Sequence, residues 1–233
     1  MTSGSSGAAQ PSRLRSGPGR PTLSERHREV IKRDIALAAL PLFVEKGLEG
    51  TAVGEVADAL GVSTRTLWRY FPTKEAFVRP LLGAGMDAAL RAVRDWPADR
   101  PLLEAMEQVS SLGADSPEAL GYLRTLVRMT RTEPGLRAVW LDVYYETATA
   151  LTEIIQERTG LPPGGLHART QAFALNAALL SAVETWACDD TAEYTTGPAT
   201  AILEALSIVA DGLSMSAPRG SKPTRPSTGP GKA

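Results

Sequence analysis

Residues 61–74 read GVSTRTLWRYFPTK. They gather the side chains best suited to recognising a polyanion. On a helix of 100° per residue, Leu67, Tyr70 and Phe71 cluster on one side. Arg65 and Arg69 lie opposite, flanked by Thr64 and Trp68. An arginine forks onto guanine O6 and N7, and a threonine methyl packs on the thymine methyl. An indole N–H reaches a phosphate oxygen. Lys74 opens the next helix, where an ammonium and free backbone N–H groups together make a phosphate site. The plainer alternative is a solvated face on a small helical bundle.

A helix this short does not persist alone, so Leu67 and Phe71 must anchor it to neighbours. Those neighbours are legible. Thr22 to Lys46 reads as one helix, with Thr22 and Glu25 in capping-box spacing. Ile31, Ile35, Ala38, Leu42 and Phe43 share its inner face, and Gly47 ends it. Pro41 removes a helical hydrogen bond and is expected to bend the last turn. A second helix spans about Thr51 to Leu60 and stops at Gly61. The third starts at Ser63, an N-cap type, and stops before Pro72. Two short helices joined by a glycine turn have helix-turn-helix spacing, the second helix entering the major groove.

The order of residues here resembles a known family. AALPLFVEKGLEGTAVGEVADALGVSTRTLWRYFPTKEAF is similar to the DNA-binding segment of TetR-type transcriptional regulators. Ala38, Ala39, Leu42, Phe43 and Gly47 match its opening, and Thr51, Val56, Ala57, Gly61, Val62 and Ser63 its middle. Thr66, Leu67, Trp68, Tyr70, Phe71 and Lys74 match its close. The resemblance implies an all-α homodimer: a three-helix helix-turn-helix domain joined to a larger helical ligand-binding and dimerisation domain. Carried over by residue, Thr64, Arg65 and Thr66 face base edges, with Thr51 a further contact. Trp68, Tyr70 and Lys74 hold phosphates, and Arg69 serves either role. Trp68 stands where tyrosine is usual, and Ala52 and Gly54 where the second helix often carries polar residues.

Charge supports a divided molecule. Residues 11–80 carry 12 Lys+Arg against 8 Asp+Glu, residues 81–215 carry 9 against 18, and the tail from Ser216 carries 4 against none. A basic end on an acidic body implies that one part meets a polyanion. The expected division is 1–21 a disordered basic arm, 22–72 the DNA-binding domain, 73–215 the effector and dimerisation domain, and 216–233 a disordered basic tail. Arg20, within Gly19-Arg20-Pro21, is half of a minor-groove hook or part of a nonspecific basic arm. The Pro-rich tail reads as a solubilising linker.

Beyond Lys74, a helix continuing from Thr73 towards Trp96 is followed by segments near 100–113, 117–132, 135–159, 165–188 and 198–214. The last two are expected to form the dimer through Phe173, Leu180, Val183, Leu203, Leu206 and Val209, since they carry more apolar surface than one side needs. The alternative is burial within the chain. Met106, Met129, Trp140, Tyr144 and Asn176 are the candidate lining for an apolar or aromatic small-molecule effector, or plain core. Trp186 either lines the same pocket or seals the dimer.

Other classes fare poorly. GAGMDA at 83–88 fits a loose dinucleotide pattern but sits mid-helix with no strand before it. No P-loop, G-x-S-x-G or H-E-x-x-H occurs, so neither an enzyme nor a cofactor is expected. One cysteine, Cys188, and the distant His27 and His167 nominate no metal site. No stretch reaches the length of a membrane span, and a cytoplasmic location is expected. The expected partners are therefore duplex operator DNA, an unidentified effector and a second copy of the chain. An architectural DNA-binding protein without an effector is the competing reading, favoured by basic segments at both ends.

Overall fold

The computed structural model describes residues 23–97, 100, 117–190 and 197–212, of which 117–119 are described in backbone only. The described residues form eight α-helices and no strand, in the all-α architecture anticipated: α1 (Leu23–Gly50), α2 (Val53–Leu60), α3 (Thr64–Tyr70), a 3-10 turn (Glu75–Val78), α4 (Arg79–Asp95), α5 (Pro117–Met129), α6 (Pro134–Thr159), α7 (Leu166–Cys188) and α8 (Ala199–Ala210).

Local chemistry explains the boundaries. In α1 the helix runs through Pro41, which faces solvent, and breaks at Gly47 (φ 73°, ψ 168°). The break therefore falls at the residue without a Cβ rather than at the proline. Glu55 accepts a hydrogen bond from the Ala52 N–H at 2.9 Å, satisfying a free donor at the start of α2. Gly61 is left-handed (φ 64°, ψ 31°) and turns the chain from α2 to α3. The Ser63 hydroxyl accepts from the Thr66 N–H at 3.2 Å and caps α3. Thr73 caps as expected, accepting from the Ala76 N–H at 3.3 Å. What it opens is the 3-10 turn, and α4 proper begins only at Arg79.

The core is continuous from one end to the other. Ile35, Phe43, Val56 and Leu67 close the first three helices on each other. Phe77 and Leu82 carry that apolar surface into α4, where Met86 and Val93 meet Leu136, Trp140 and Val143 of α6. Helix α7 packs on both α6 and α8. Arginines stop several helices by satisfying terminal carbonyls, where a cation also suits the helix dipole. Arg158 donates to Pro97 O at 2.8 Å and to Val93 O at 3.3 Å past the end of α4. Buried Arg124 donates to Ala187 O at 3.3 Å, and Arg128 pairs with Asp190 at 2.7 Å, holding the end of α7. The Arg124 guanidinium also lies 5.8 Å from the ring of Trp186, which is buried within the chain.

Two joints tie the 3-10 turn and the start of α4 to α6. Arg79, at the start of α4, pairs with Glu146 of α6. Gly135 lies so near the 3-10 turn that a Cβ there would sit 2.6 Å from Glu75 Cγ. No described helix is long and apolar enough to cross a membrane.

Candidate nucleic-acid interface

Helix α3 is anchored by one face and offers the other. Leu67 is fully buried and Phe71 nearly so, while Thr64, Arg65, Trp68 and Arg69 are exposed. Arg65 makes no hydrogen bond or ion pair with the described residues, so its five N–H donors remain available. Arg69 is held more firmly: its Nη2 donates to the Tyr70 hydroxyl at 3.3 Å, and its guanidinium lies 5.1 Å from the Tyr70 ring. Tyr70 itself is half-buried. Trp68 is 45% exposed yet not loose, for its ring packs on Phe77 at 5.7 Å. That contact fixes the indole against the 3-10 turn.

Lys74 has a defined position. Its Nζ donates to the Thr51 carbonyl at 2.9 Å, which draws the ammonium across the α1–α2 turn and leaves two N–H donors for another acceptor. The ordering of this charge beside α3 was not legible in the sequence, because Thr51 is 23 positions away.

Two of the expected contacts change character. Thr51 is 1% exposed, so its side chain does not reach DNA. Its hydroxyl donates to Gly47 O at 2.8 Å and Leu42 O at 3.1 Å, pinning the break in α1. Thr66 is half-buried, and its hydroxyl shares a hydrogen bond with Ser63 at 3.0 Å, which ties it to the cap of α3. Arg20 lies outside the described residues.

The body holds the other candidates. Trp140, Tyr144 and Asn176 come together between α6 and α7. Asn176 Nδ2 donates to Tyr144 O at 2.8 Å, the Tyr144 hydroxyl donates back to Asn176 O, and the two rings stack edge-on at 5.6 Å. Burial, with Glu184 adding, pushes the Tyr144 hydroxyl well above its ordinary pKa, so it stays neutral. The Asn176 side-chain oxygen is buried with no hydrogen-bond partner among the described residues. Met129 is half-buried against the same core, and Met106 lies outside the described residues. These four described residues are packed into the core, and a small void of about 20 Å³ lies between Leu90, Thr147, Leu151, Leu175 and Leu179. The large cleft lies elsewhere. It has a volume of about 930 Å³, runs between α1, α4 and α6, and is walled by Glu29, Lys32, Arg79, Asp87, Asp142 and Glu146. None of the described candidate effector residues lines it.

On the expected dimer face the apolar residues divide. Val183 is 1% exposed and Leu206 2%, both covered by the chain's own helices, so neither is free to meet a partner. Phe173, Leu180, Leu203 and Val209 are half-exposed, and Ile208, which the sequence reading passed over, is 58% exposed. Its position two residues beyond Leu206 was the available signal, since those two residues point to different sides of a helix.

A glycine turn between α2 and α3, with cationic and threonine side chains on the outer face of α3, defines a DNA-binding protein of the helix-turn-helix class. Residues 35–81 match the bacterial regulatory proteins of the tetR family, and residues 100–214 match the MftR C-terminal domain. The HTH-type transcriptional regulator TcmR of Streptomyces glaucescens is 32% identical over 154 residues, covering 63% of this chain and 68% of that one. The HTH-type transcriptional repressor AcnR of Corynebacterium diphtheriae is 27% identical over 144 residues, covering 60% and 72%. A solved chain from Pseudomonas aeruginosa PAO1 shares the fold, with a TM-score of 0.52 at 20% identity over 78% of this chain and 90% of that one. The chain belongs to the TetR family of transcriptional regulators. It is a regulator, not an enzyme.

Proposed function

We propose that the protein is a one-component repressor that binds a palindromic operator as a homodimer and releases it when a small, largely apolar effector enters the body. Residues 22–72 act as the DNA-reading unit, and 73–215 bind the effector and the partner subunit. The observation that carries the reading is the outer face of α3. Arg65 and Thr64 are free to address base edges, while Trp68 and Lys74 are held beside them to grip phosphates. Selection of bound fragments from a random duplex pool tests it. A palindromic consensus with half-sites about one helical turn apart is expected for two recognition helices, and failure to enrich any sequence at low salt would refute the reading.

Dimerisation through α7 and α8 is supported by the apolar side chains their outer faces retain: Phe173, Leu180, Leu203, Ile208 and Val209. Leu180→Glu is expected to convert the dimer to a monomer in sedimentation and to abolish operator binding, because a single half-site forfeits the second helix's contacts.

The effector reading rests on Asn176. A buried acceptor without a donor costs free energy, and a ligand hydroxyl or amine at Asn176 Oδ1 would remove that cost. Asn176, Tyr144 and Trp140 are buried against one another, so binding at Asn176 Oδ1 requires α6 and α7 to separate. That movement reaches the 3-10 turn and the start of α4 through the Arg79–Glu146 pair and the Gly135–Glu75 contact, and α3 through the packing of Trp68 on Phe77. A coupling of about 1–3 kcal/mol suffices for release. A small-molecule panel read by melting temperature tests this. A hit should stabilise the protein and lower operator affinity, and Asn176→Leu should lose both effects. If no compound shifts the transition, the ligand-independent architectural role is favoured.

A further inference from the structure

Four exposed aliphatic side chains of α1 fall on one line. Leu23, Val30, Leu37 and Val44 stand seven residues apart, and they expose 82%, 57%, 47% and 45% of their surface. Seven residues return an α-helix to within about 20° of the same azimuth, so the four form a ridge. At 1.5 Å per residue it is about 30 Å long. It lies apart from the inner face, which Ile35, Ala39, Leu40 and Phe43 bury in the core. A single exposed aliphatic residue is ordinary. A strict seven-residue spacing supplies one of the two apolar positions per heptad with which a helix meets another helix, the positions flanking the ridge's midpoint here being polar.

The charges beside the ridge select its partner. Arg33 and Asp34 flank its midpoint on opposite sides, three and four residues beyond Val30. Both are exposed, and neither forms an ion pair with the described residues. When a second copy of α1 lies parallel and in register about a twofold axis, the left flank of one helix faces the right flank of the other. Arg33 then meets Asp34 of the second copy, and Asp34 meets its Arg33, while each ridge residue meets its own equivalent. In an antiparallel arrangement about the midpoint, like flanks would face each other and bring Arg33 to Arg33. The surface is thus self-complementary in one direction only. We infer that the α1 ridge is a second self-association surface, a parallel α1–α1 contact that joins one dimer to the next.

Four aliphatic side chains fall short of the roughly 800 Å² per partner that a stable interface buries. The contact is therefore weak in free solution and strengthens where two dimers are held side by side on one duplex. Two isologous faces on one chain allow assembly to propagate along DNA. The inference goes beyond the repressor reading, and its test needs no operator.

The experiment uses the full chain in a Cys188→Ser background, with Leu37→Cys compared with Tyr122→Cys, an exposed position off the ridge. Mild oxidation at high protein concentration should link Leu37→Cys chains roughly tenfold faster than Tyr122→Cys chains, because the contact raises the local concentration of the matched thiols. In sedimentation, wild type should grow beyond the dimer with concentration, and Leu37→Lys should not. Arg33→Asp should weaken the growth, and Arg33→Asp combined with Asp34→Arg should restore it. Equal crosslinking at the two positions overturns the proposal. So does unchanged growth in Leu37→Lys, or a charge swap that melts like wild type yet does not restore association.

Discussion

In the proposed function Arg65 and Lys74 divide the work of binding at the scale of single residues. Arg65 is unengaged and faces outward, whereas Lys74 is tethered to the Thr51 carbonyl. On the proposed reading, an unengaged fork on the outer face of α3 would read base edges, and a tethered ammonium would neutralise backbone charge whatever the sequence. Arg65→Ala should therefore cost about 1–3 kcal/mol on the selected operator and relax the preference at one position. Lys74→Ala should weaken all duplexes alike and lower the salt slope by about 1. Binding titrations on matched and mismatched duplexes at several salt concentrations measure both, and an equal loss of base preference in the two variants would refute the division. Thr51 has a different role from the one its family position suggests. Thr51→Val removes a buried donor from two carbonyls and should cost about 1–2 kcal/mol of stability in chemical denaturation, with the selected consensus unchanged. The sequence could not show this. A threonine after a glycine turn is equally compatible with a solvent-facing and an inward hydroxyl until the break at Gly47 places its acceptors.

At the scale of elements, the helix-turn-helix rests on local rules, and these were legible. Gly61, Ser63 and the spacing of Leu67 and Phe71 act within one or two turns of chain, so the turn, the cap and the buried face of α3 all follow from neighbours in sequence. Gly61→Ala tests the turn. Its added Cβ would meet nothing within 4 Å, so the cost arises from the left-handed backbone alone. A loss of about 1–2 kcal/mol is expected, together with weaker operator binding as α3 loses its aim. A thermal melt unchanged from wild type would show that the turn is not under that constraint. The start of α4 was less legible. Thr73 caps as expected, but Arg79 and Pro80 set the helix start, and the residues between adopt a 3-10 turn under Phe77. That turn is wedged by Gly135, from an element some sixty residues away, which no local pattern contains.

The whole molecule has a basic end and an acidic body, and the seam between them carries its own electrostatics. Asp87 stands in the wall of the large cleft. Desolvation holds its carboxyl above the usual carboxylate range; Arg91 and Arg79 oppose this, while Glu29 and Glu146 add to it. The folded protein therefore keeps this proton at a pH where the unfolded chain has released it. Stability falls as pH rises from the ordinary aspartate value of 3.8 through the raised one, and the penalty is constant above that. Asp87→Asn should raise the melting temperature at neutral pH, and the gain should vanish below the ordinary aspartate range. A gain that persists in acid would exclude ionisation as the cause. The cleft that Asp87 borders has walls contributed by α1, α4 and α6, so its existence depends on how three distant segments come together.

Sequence by itself determined the all-helical class, the boundaries of most described helices to within a few residues (the start of α4 excepted, and the expected helix at 100–113 lying outside the described residues), the turn and cap of α3, and the polarity of its outer face. All of these follow from backbone preference and 3.6-residue periodicity acting over short stretches. Only the tertiary structure decided which apolar residues the chain consumes for itself: Val183 and Leu206 turn inward, while Leu180 and Ile208 keep surface exposed. It also turned Thr51 inward, tethered Lys74 and placed the open cleft away from Trp140, Tyr144 and Asn176. The reason is that periodicity sets the faces of a helix relative to one another. Which face meets which neighbour is settled by close packing among segments far apart in the chain.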